Sequence, residues 1–378
     1  FDSLRSGPVH LNVQFDEPML PDDSDKWLDE IVISAKAFES RTKPTTLKSD
    51  ASRGVLVIGH DRGGLNIESV RKFAKELGWP IIAEDPLSFP DAVAHASIFL
   101  TSAQIRAALI PQTVIVIGRT TLSRSINTFL KLAPTQIVID PRMATVDSDR
   151  YADKRFTQIP ELNTHKASPE WLEQWEKYSL RCGKSVDGLT GFTEAVIARE
   201  IAANLPDGST LFVSSSRPIR DLEGFAAPRS GVTTHANRGL AGIDGNISTA
   251  LGIACASKQT FAVLGDLSFL HDLTGLIHRE EINCAFIVIN NDGGGIFSTL
   301  PQRGVDGFES VFGTPHGLDP AAIAAAMGIL ASTISSVDEL KKILKAPVKG
   351  VSITVANVPS RDENADSLKA IYESMNSI

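Results

Sequence analysis

The sequence predicts an α/β protein built from doubly wound parallel sheets. Short apolar segments of strand length end in glycine and are followed by residues at helical spacing, as in parallel strands joined by helices. The first unit has an apolar strand at residues 55–58, a helix at 67–77 and a second strand at 81–83. Gly78 and Pro80 end the helix. These residues therefore predict one βαβ unit.

The same alternation continues toward the C-terminus. Strands are predicted at 114–117 and 137–140, with a helix at 126–132 between them. A further helix at 192–204 precedes a strand at 210–213, so a second α/β domain follows the first. Near the N-terminus, residues 8–13 alternate as a strand that has no partner strand nearby in the sequence.

These patterns divide the chain into five predicted parts. The parts are 1–20, the tail of a preceding domain; 21–50, a linker; 51–165, a central Rossmann-like domain; 166–188, a linker helix; and 189–378, a second α/β domain. The tail is inferred because a single strand cannot be stable by itself. The bulk of the preceding domain is therefore expected to be missing from this chain.

Composition and charge exclude several classes of protein. The chain has 378 residues, of which 42% are hydrophobic, and a net charge of -8, with lysine and arginine scattered rather than clustered. We therefore expect no nucleic-acid partner. The longest apolar stretches have strand length, far below the roughly 20 residues of a membrane span, and no leader pattern opens the chain. We expect a cytoplasmic protein whose three cysteines, which lack metal-binding spacing, serve packing.

Two polar turns follow neighbouring apolar strands in the second α/β domain. The strand at 261–264 ends at Gly265 and Asp266, and the strand at 284–289 ends at Asn290 and Asn291, with a crossover helix expected at 272–281. In an open parallel sheet, ligands collect at the carboxyl ends of strands. Carboxylate and amide oxygens suit Mg²⁺, which commonly shares a phosphate group with its protein ligands. The two turns together therefore predict a metal and phosphate site.

These turns resemble the fingerprint of the thiamine-diphosphate-dependent enzymes, in which Gly-Asp is followed after a crossover by Asn-Asn. Leu267 and the glycine run that begins at Gly293 narrow the resemblance to the 2-succinyl-5-enolpyruvyl-6-hydroxy-3-cyclohexene-1-carboxylate synthases of menaquinone biosynthesis. Asn237-Arg238-Gly239 and the pair Ser216 and Arg220 agree with this branch. By this resemblance, residues 1–20 end a pyrimidine-binding domain and residues 189–378 form the diphosphate-binding domain.

The resemblance implies a role for each residue of the site. The expected ligands of Mg²⁺ or Mn²⁺ are Asp266, Asn291 and the carbonyl of Gly293. The residues expected to bind thiamine diphosphate are Ser216, Ile243, Gly265, Leu267, Ser268, Gly295 and Ile296. The residues expected to bind substrate are Arg220 and Arg238, through carboxylates, and Phe297 and Leu300, as an apolar wall.

The resemblance also implies an activity and a partner. The branch decarboxylates 2-oxoglutarate and adds the succinyl-semialdehyde carbanion to isochorismate. The glutamate that activates the cofactor belongs to the pyrimidine-binding domain, so this chain alone is expected to be inactive. Activity is expected in a homo-oligomer, dimer or tetramer, or with a chain that carries the missing domain.

Other interpretations stay open at this point. Residues 59–64 follow a strand and are rich in glycine, but they lack the GxGxxG spacing of a dinucleotide site and an acidic partner about 20 residues later. Another thiamine-diphosphate-dependent 2-oxo acid decarboxylase or an acetohydroxyacid synthase would share the metal and cofactor motifs. A non-catalytic binding module would retain the fold without turnover.

Overall fold

The computed structural model describes residues 45–142, 152–277 and 281–377, together with Asn12 and Gln14. Most of the predicted tail at 1–20 and of the linker at 21–50 lies outside these residues. Asn12 and Gln14 are exposed and belong to no strand, although Asn12 falls within the strand predicted at 8–13.

All the described strands pair in parallel, as the sequence predicts. They are β1 (Thr46–Ser49), β2 (Gly54–Ile58), β3 (Ile81–Ala83), β4 (Thr113–Ile117), β5 (Thr135–Ile139), β6 (Lys154–Phe156), β7 (Glu161–Thr164), β8 (Ser209–Val213), β9 (Val232–His235), β10 (Thr260–Gly265), β11 (Cys284–Asn290), β12 (Leu330–Ile334) and β13 (Val351–Asn357).

The described strands form a five-stranded sheet in the order β3-β2-β4-β5-β6 and a six-stranded sheet in the order β12-β13-β11-β10-β8-β9. A short two-stranded sheet joins β1 to β7. In each larger sheet the first strand in the chain has neighbours on both sides, so the strand order reverses there. These reversals lie between β2 and β4 and between β8 and β10, and such points are the usual ligand crevices of open α/β sheets.

Helices cover both faces of the sheets, and eight of the twelve described helices begin at a residue whose side chain caps the helix. They are α1 (Ile67–Leu77), α2 (Ala96–Phe99), α3 (Ala103–Ala108), α4 (Arg124–Leu130), α5 (Pro169–Asp187), α6 (Glu194–Asn204), α7 (Arg217–Phe225), α8 (Asn246–Cys255), α9 (Asp266–His271), α10 (Pro320–Ala326), α11 (Val337–Lys345) and α12 (Arg361–Ser374). Asn66 caps α1 by accepting from the backbone N–H groups of Glu68 and Ser69, and Gly78 ends that helix in the left-handed conformation.

The predicted linker helix is part of a core rather than a free connector. Trp171 and Trp175 on α5 are 2% and 1% exposed and belong to the same apolar cluster as the five-stranded sheet. The indole N–H of Trp171 donates to the carbonyl of Gly54 at the start of β2, over 2.9 Å. Burying two large aromatic side chains in this way fixes α5 against the sheet.

Three short strands were not predicted, and one predicted helix was wrong. The strand β1 lies within residues 21–50, and β6 and β7 lie between β5 and α5. These strands have three or four mostly polar residues, too few to show a period of two. The crossover helix predicted at 272–281 is not formed over its described part at 272–277, which instead contains a 3₁₀ turn at Leu273–Leu276. That turn follows the short α9, which begins at Asp266. A Cβ on Gly275 would lie 2.7 Å from the Ser248 hydroxyl, so this turn packs closely against α8.

The boundaries of the five predicted parts stay a prediction, although the two larger sheets fall within 51–165 and 189–378. Within the described ranges, no helix is long and apolar enough to cross a membrane.

Candidate cofactor and metal site

A cavity of ≈ 340 Å³ lies at the strand reversal of the six-stranded sheet, where β8 and β10 end. The residues predicted for the site that line it are Ser216, Arg220, Ile243, Gly265, Asp266, Leu267, Ser268, Asn291, Gly293, Gly295, Ile296 and Phe297. The fold therefore brings together residues from four separate segments of the sequence. Each segment follows a strand of the same sheet, which is why the segments meet at one edge.

Asp266 is the centre of this edge and is 2% exposed. Its Oδ1 accepts from the backbone N–H of Leu267 over 2.7 Å. Its Oδ2 accepts from the backbone N–H groups of Asn291 and Gly293, over 3.2 Å and 2.9 Å. A single carboxylate thus joins the turn after β10 to the turn after β11.

Asn291 has one end of its side-chain amide bound and the other end unbound. The Nδ2 group donates to Oε1 of Glu194 over 2.5 Å. The Oδ1 atom is buried and has no hydrogen-bond partner among the described residues. A buried polar atom without a partner is costly, so this oxygen is the strongest indication of a ligand at the site.

Glycine is needed at the positions of these two turns for different structural reasons. Gly293 has a φ of 131°, and a Cβ there would lie 2.2 Å from the carbonyl oxygen of Gly313. A Cβ on Gly295 would lie 2.4 Å from Nδ2 of Asn291. A Cβ on Gly265 would meet no atom of the described residues within 4 Å. Gly265 therefore faces open space, whereas Gly293 and Gly295 permit close packing within the loop.

A histidine that the sequence analysis missed also contacts the site. Nε2 of His316 lies 3.3 Å from Oδ2 of Asp266, and Nδ1 accepts from the backbone N–H of Leu318 over 3.0 Å. Because Nδ1 accepts, Nε2 carries the proton and donates to the carboxylate. Asp292, with a φ of 60°, accepts the backbone N–H of His316 and so holds this loop in place.

The turn after β8 has strained backbone. Ser216 has a φ of 73°, which is unfavourable for a residue with a Cβ, and such strain is often found at functional sites. The guanidinium of Arg217 faces Glu194 and is also bonded to Asp221. Arg220 donates to the Ser216 carbonyl over 2.8 Å and lines the cavity. Both arginines line the cavity, but the guanidinium of Arg217 is already paired with carboxylates, so Arg220 is the one left to meet an anion.

Arg238 and Leu300 lie outside this cavity. The side chain of Arg238 is 2% exposed and pairs with both carboxylate oxygens of Glu84, at 3.2 Å and 2.9 Å. Its guanidinium is thus occupied by the loop after β3, and its predicted role in substrate binding stays a prediction. Leu300 lines an adjoining cavity of ≈ 170 Å³ together with Arg220 and Arg124. Arg124 belongs to α4 of the central region, so both sheets contribute to this second cavity.

Burial governs the charges of the site. It raises the pKa of Asp266, against the lowering effects of the backbone N–H groups and His316. Burial, followed by repulsion from Arg217 and Arg238, lowers the pKa of Arg220. Burial also raises the pKa of Asp221 to about 7, although Arg217 opposes the shift. A cation near Asp266 and an anion near Arg220 would each relieve an unfavourable charge.

The donor set fits a hard cation beside a diphosphate. The carboxylate of Asp266 and Oδ1 of Asn291, which has no partner among the described residues, are oxygen donors of the kind that Mg²⁺ prefers. The carbonyl of Gly293, predicted as the third ligand, accepts from the backbone N–H of Gly295 over 2.9 Å and retains a second lone pair. Gly265 leaves space on the cavity side for a phosphate group to approach the backbone.

Sequence reasoning missed Glu194, His316, Arg124 and Glu84. Glu194, the first residue of α6, is 97 residues from Asn291 along the chain. Glu84 is 154 residues from Arg238. No local sequence pattern could have identified these pairs, because neither pair lies on one helix or turn.

Comparisons with known proteins agree with the geometry. The family model described as the middle domain of thiamine pyrophosphate matches residues 21–213. The model described as thiamine pyrophosphate enzyme, C-terminal TPP binding domain, matches residues 221–358. Thiamine pyrophosphate and thiamine diphosphate are two names for one cofactor.

Three curated relatives carry the name 2-succinyl-5-enolpyruvyl-6-hydroxy-3-cyclohexene-1-carboxylate synthase. The protein of Thermobifida fusca is 34% identical over 90% of this chain and 65% of its own length. That of Lysinibacillus sphaericus is 31% identical over 99% of this chain and 71% of its own length. That of Nocardioides sp. is 33% identical over 96% of this chain and 71% of its own length. The chain thus spans about two thirds of the length of these relatives, and it belongs to the 2-succinyl-5-enolpyruvyl-6-hydroxy-3-cyclohexene-1-carboxylate synthase family of thiamine-diphosphate-dependent enzymes.

Proposed function

We propose that this chain provides the diphosphate- and metal-binding part of an enzyme that converts 2-oxoglutarate and isochorismate in menaquinone biosynthesis. The observation that carries the proposal is the buried Oδ1 of Asn291, which has no partner among the described residues and lies in the loop joined to Asp266. The family membership and the residues that line the cavity support the same conclusion.

The metal-binding residues in this proposal are Asp266, Asn291 and the carbonyl of Gly293. Asp266 has the charge that a cation needs, and its bonds to three backbone N–H groups fix its position before the cation arrives. Such preorganisation reduces the entropy lost on binding. We propose Mg²⁺ as the cation, with Mn²⁺ able to replace it because both prefer oxygen ligands.

Thiamine diphosphate supplies the electron sink for loss of CO₂ from a 2-oxo acid. In our proposal, Gly265, Leu267, Ser268 and Gly295 hold its diphosphate, and Ile243 supports its ring system from the cavity wall. The Leu267 N–H donates to Asp266 in this structure, so it contributes to the phosphate site by ordering the turn. Ser216, Ile296 and Phe297 complete the wall and exclude water.

Arg220 is proposed to bind a substrate carboxylate. It lines both cavities, and burial together with two neighbouring arginines leaves its charge poorly compensated. A planar guanidinium can form two parallel hydrogen bonds with a carboxylate. The second cavity, which also contains Leu300 and Arg124, then provides room for the acceptor, isochorismate.

The whole enzyme is proposed to act as a homo-oligomer or with a chain that carries a pyrimidine-binding domain. The proposal follows from the resemblance, in which that domain provides the activating glutamate. Relatives that are longer than this chain support it.

The test is to co-express this chain with the pyrimidine-binding domain of a relative and to measure the consumption of 2-oxoglutarate with and without isochorismate. We expect CO₂ release that depends on Mg²⁺ and thiamine diphosphate, and a coupled product only when isochorismate is present. No CO₂ release in either condition would favour a non-catalytic module.

A variant pair separates this function from that of other 2-oxo acid decarboxylases. Arg220→Ala removes a charge-assisted hydrogen bond, so kcat/KM for 2-oxoglutarate should fall roughly 10- to 100-fold. Arg71→Ala, which removes an arginine that pairs with Glu68 on the outer helix α1, is the control and should leave turnover unchanged. Two results together would favour a different decarboxylase. The wild-type enzyme would show no preference for 2-oxoglutarate, and Arg220→Ala would turn over small monocarboxylate 2-oxo acids at an undiminished rate.

A further inference from the structure

An asparagine that binds a metal must present its oxygen and not its nitrogen. The two ends of the side-chain amide have the same shape, so only their hydrogen-bond partners decide which end faces the metal. We propose that Glu194 is the positioning residue that fixes the amide of Asn291 with Oδ1 directed into the cofactor and metal site. This inference rests on the proposed metal site and adds to it a residue that the sequence analysis did not identify.

The contact between the two side chains is short and buried. Nδ2 of Asn291 donates to Oε1 of Glu194 over 2.5 Å, and Glu194 is 6% exposed. An ionised carboxylate accepts hydrogen bonds but cannot donate, so the amide nitrogen must lie on its side. The amide oxygen is thereby directed away from Glu194, and it is this oxygen that has no partner among the described residues.

The surroundings keep the carboxylate of Glu194 in place. Nε of Arg217 lies 3.5 Å from Oε2 of Glu194, the oxygen that Asn291 does not use. Arg217 is itself held by Asp221 one turn further along α7. The backbone N–H of Glu194 donates to Oδ1 of Asn364 on α12, over 3.2 Å. Three helices therefore determine where this carboxylate lies, so Asn291 meets an acceptor that cannot turn away.

The glycine run makes room for this contact. A Cβ on Gly295 would lie 2.4 Å from Nδ2 of Asn291 and 3.4 Å from Oε1 of Glu194. Any other residue at position 295 would therefore push the amide away from Glu194. Gly295 thus has a second reason to be glycine besides its predicted approach to a phosphate.

The first test is Glu194→Gln in the full chain. A glutamine side chain can present either oxygen or nitrogen, so the orientation of Asn291 is no longer determined. Loss of a residue that orients a metal ligand typically weakens metal affinity by about 10- to 100-fold. We expect that loss in calorimetric titrations of thiamine diphosphate with Mg²⁺, and in Mn²⁺ titrations followed by electron paramagnetic resonance.

The matched control is Glu200→Gln on the same helix. Glu200 is also buried and paired, but its partners are Arg199 and Lys341, away from the metal loop. The Glu200→Gln variant makes the same chemical change in α6, so it reports any general damage to the helix. Metal affinity should stay at the wild-type value in this variant.

The second test reverses donor and acceptor. Asn291→Asp places two carboxylates face to face and should weaken Mg²⁺-dependent binding of the cofactor. Adding Glu194→Gln supplies an amide N–H that donates to the new aspartate and restores the net charge of the pair. We expect the double variant to bind Mg²⁺ more tightly than either single variant, which a role for Glu194 in folding alone would not produce.

The outcomes separate this inference from the proposed function. No Mg²⁺-dependent binding of thiamine diphosphate by the wild-type chain would overturn the proposed site and the inference together. If the wild-type chain and Glu194→Gln bind thiamine diphosphate and Mg²⁺ with equal affinity, only the inference is overturned. A double variant that is weaker than both single variants would likewise reject the positioning role.

Discussion

The two larger sheets end their central strands in the same way but use the space beyond them differently. In the five-stranded sheet, β2 and β4 run into Gly59 and Gly118, and the two turns bond to each other: the Arg119 N–H donates to the Asp61 carbonyl over 2.9 Å. A Cβ on Gly59 would lie 1.6 Å from the Arg119 carbonyl oxygen. In the six-stranded sheet, a Cβ on Gly265 would meet no described atom within 4 Å, and this glycine lines the cofactor cavity. A cavity also borders the five-stranded sheet at Asp61, so the difference lies in what surrounds the glycines themselves.

The aspartates at the carboxyl ends of the two sheets also differ in their partners. Asp140, which follows β5, binds the guanidinium of Arg142 over 3.0 and 2.8 Å, and Arg142 also reaches Asp61 over 2.8 Å. Asp266 is bonded to backbone N–H groups and to His316, with no arginine or lysine among its described partners. Glycine after a strand therefore indicates only a close approach. The neighbouring aspartate adds the missing information. Where an arginine of the protein pairs with it, as at Asp140, the protein fills the site, whereas an aspartate without such a partner among the described residues, as at Asp266, indicates a ligand.

The largest effect is expected from removing the uncompensated carboxylate. Asp266→Ala removes the charged metal ligand, so Mg²⁺-dependent binding of thiamine diphosphate should be lost in calorimetry. It also leaves buried backbone N–H groups without an acceptor, at a cost of about 1–3 kcal/mol each. The corresponding change at the other sheet, Asp140→Ala, should lower the free energy of unfolding but leave cofactor binding intact. Loss of binding in both variants would show that the two edges are not functionally different.

The next effect concerns the pair that joins the loops of the two sheets, Arg238 and Glu84. Removing one partner of a buried ion pair costs about 3–5 kcal/mol, so Arg238→Ala should lower the free energy of unfolding by this order. Denaturant titration measures it, and Arg238→Met with Glu84→Gln should recover much of the loss. If Arg238→Ala instead retains stability and selectively loses use of 2-oxoglutarate, Arg238 binds substrate as the sequence predicts.

Alanine at the two glycine turns should have opposite consequences. Gly118 has a φ of 75°, and a Cβ there would lie 2.3 Å from the Asp61 carbonyl oxygen, so Gly118→Ala should destabilise the protein by at least about 1–3 kcal/mol. Gly265→Ala introduces no clash with the described residues and should unfold at an almost unchanged denaturant concentration. Its methyl group would occupy the side of the cavity open to phosphate, so cofactor affinity should fall. Calorimetry and denaturant titration on both variants measure the contrast.

The smallest expected effect is a difference between the two cores in how fast a buried cysteine reacts with a thiol reagent. Cys182 lies in the core of the five-stranded sheet and Cys284 in β11 of the other, and burial raises the pKa of each thiol to about 12. Both should therefore react very slowly with a thiol reagent at pH 8, where neither is ionised, whereas the exposed Cys255 should react at once. Rapid labelling of one buried cysteine alone would show that its core opens more readily.

The period of apolar residues was sufficient to predict most long elements. The sequence predicts β2, β4, β8, β10 and β11 to within one or two residues, because each is an uninterrupted apolar run. The short, polar strands β6 and β7 could not be predicted, since their stability comes from pairing at the sheet edges. The placement of Asp266 and Asn291 at one edge was predictable because both follow parallel strands of one sheet.

The sequence by itself determined the fold class, the family and twelve of the residues that line the candidate site, because strand periodicity and strand-end motifs are local patterns. Only the tertiary structure decided which partner each polar side chain has. It directed Arg217 toward Glu194, paired Arg238 with Glu84, placed His316 on Asp266 and gave Oδ1 of Asn291 no partner within the part of the chain that is described. Hydrogen bonds and ion pairs act over a few ångströms of space, and these partners are separated by tens of residues along the chain.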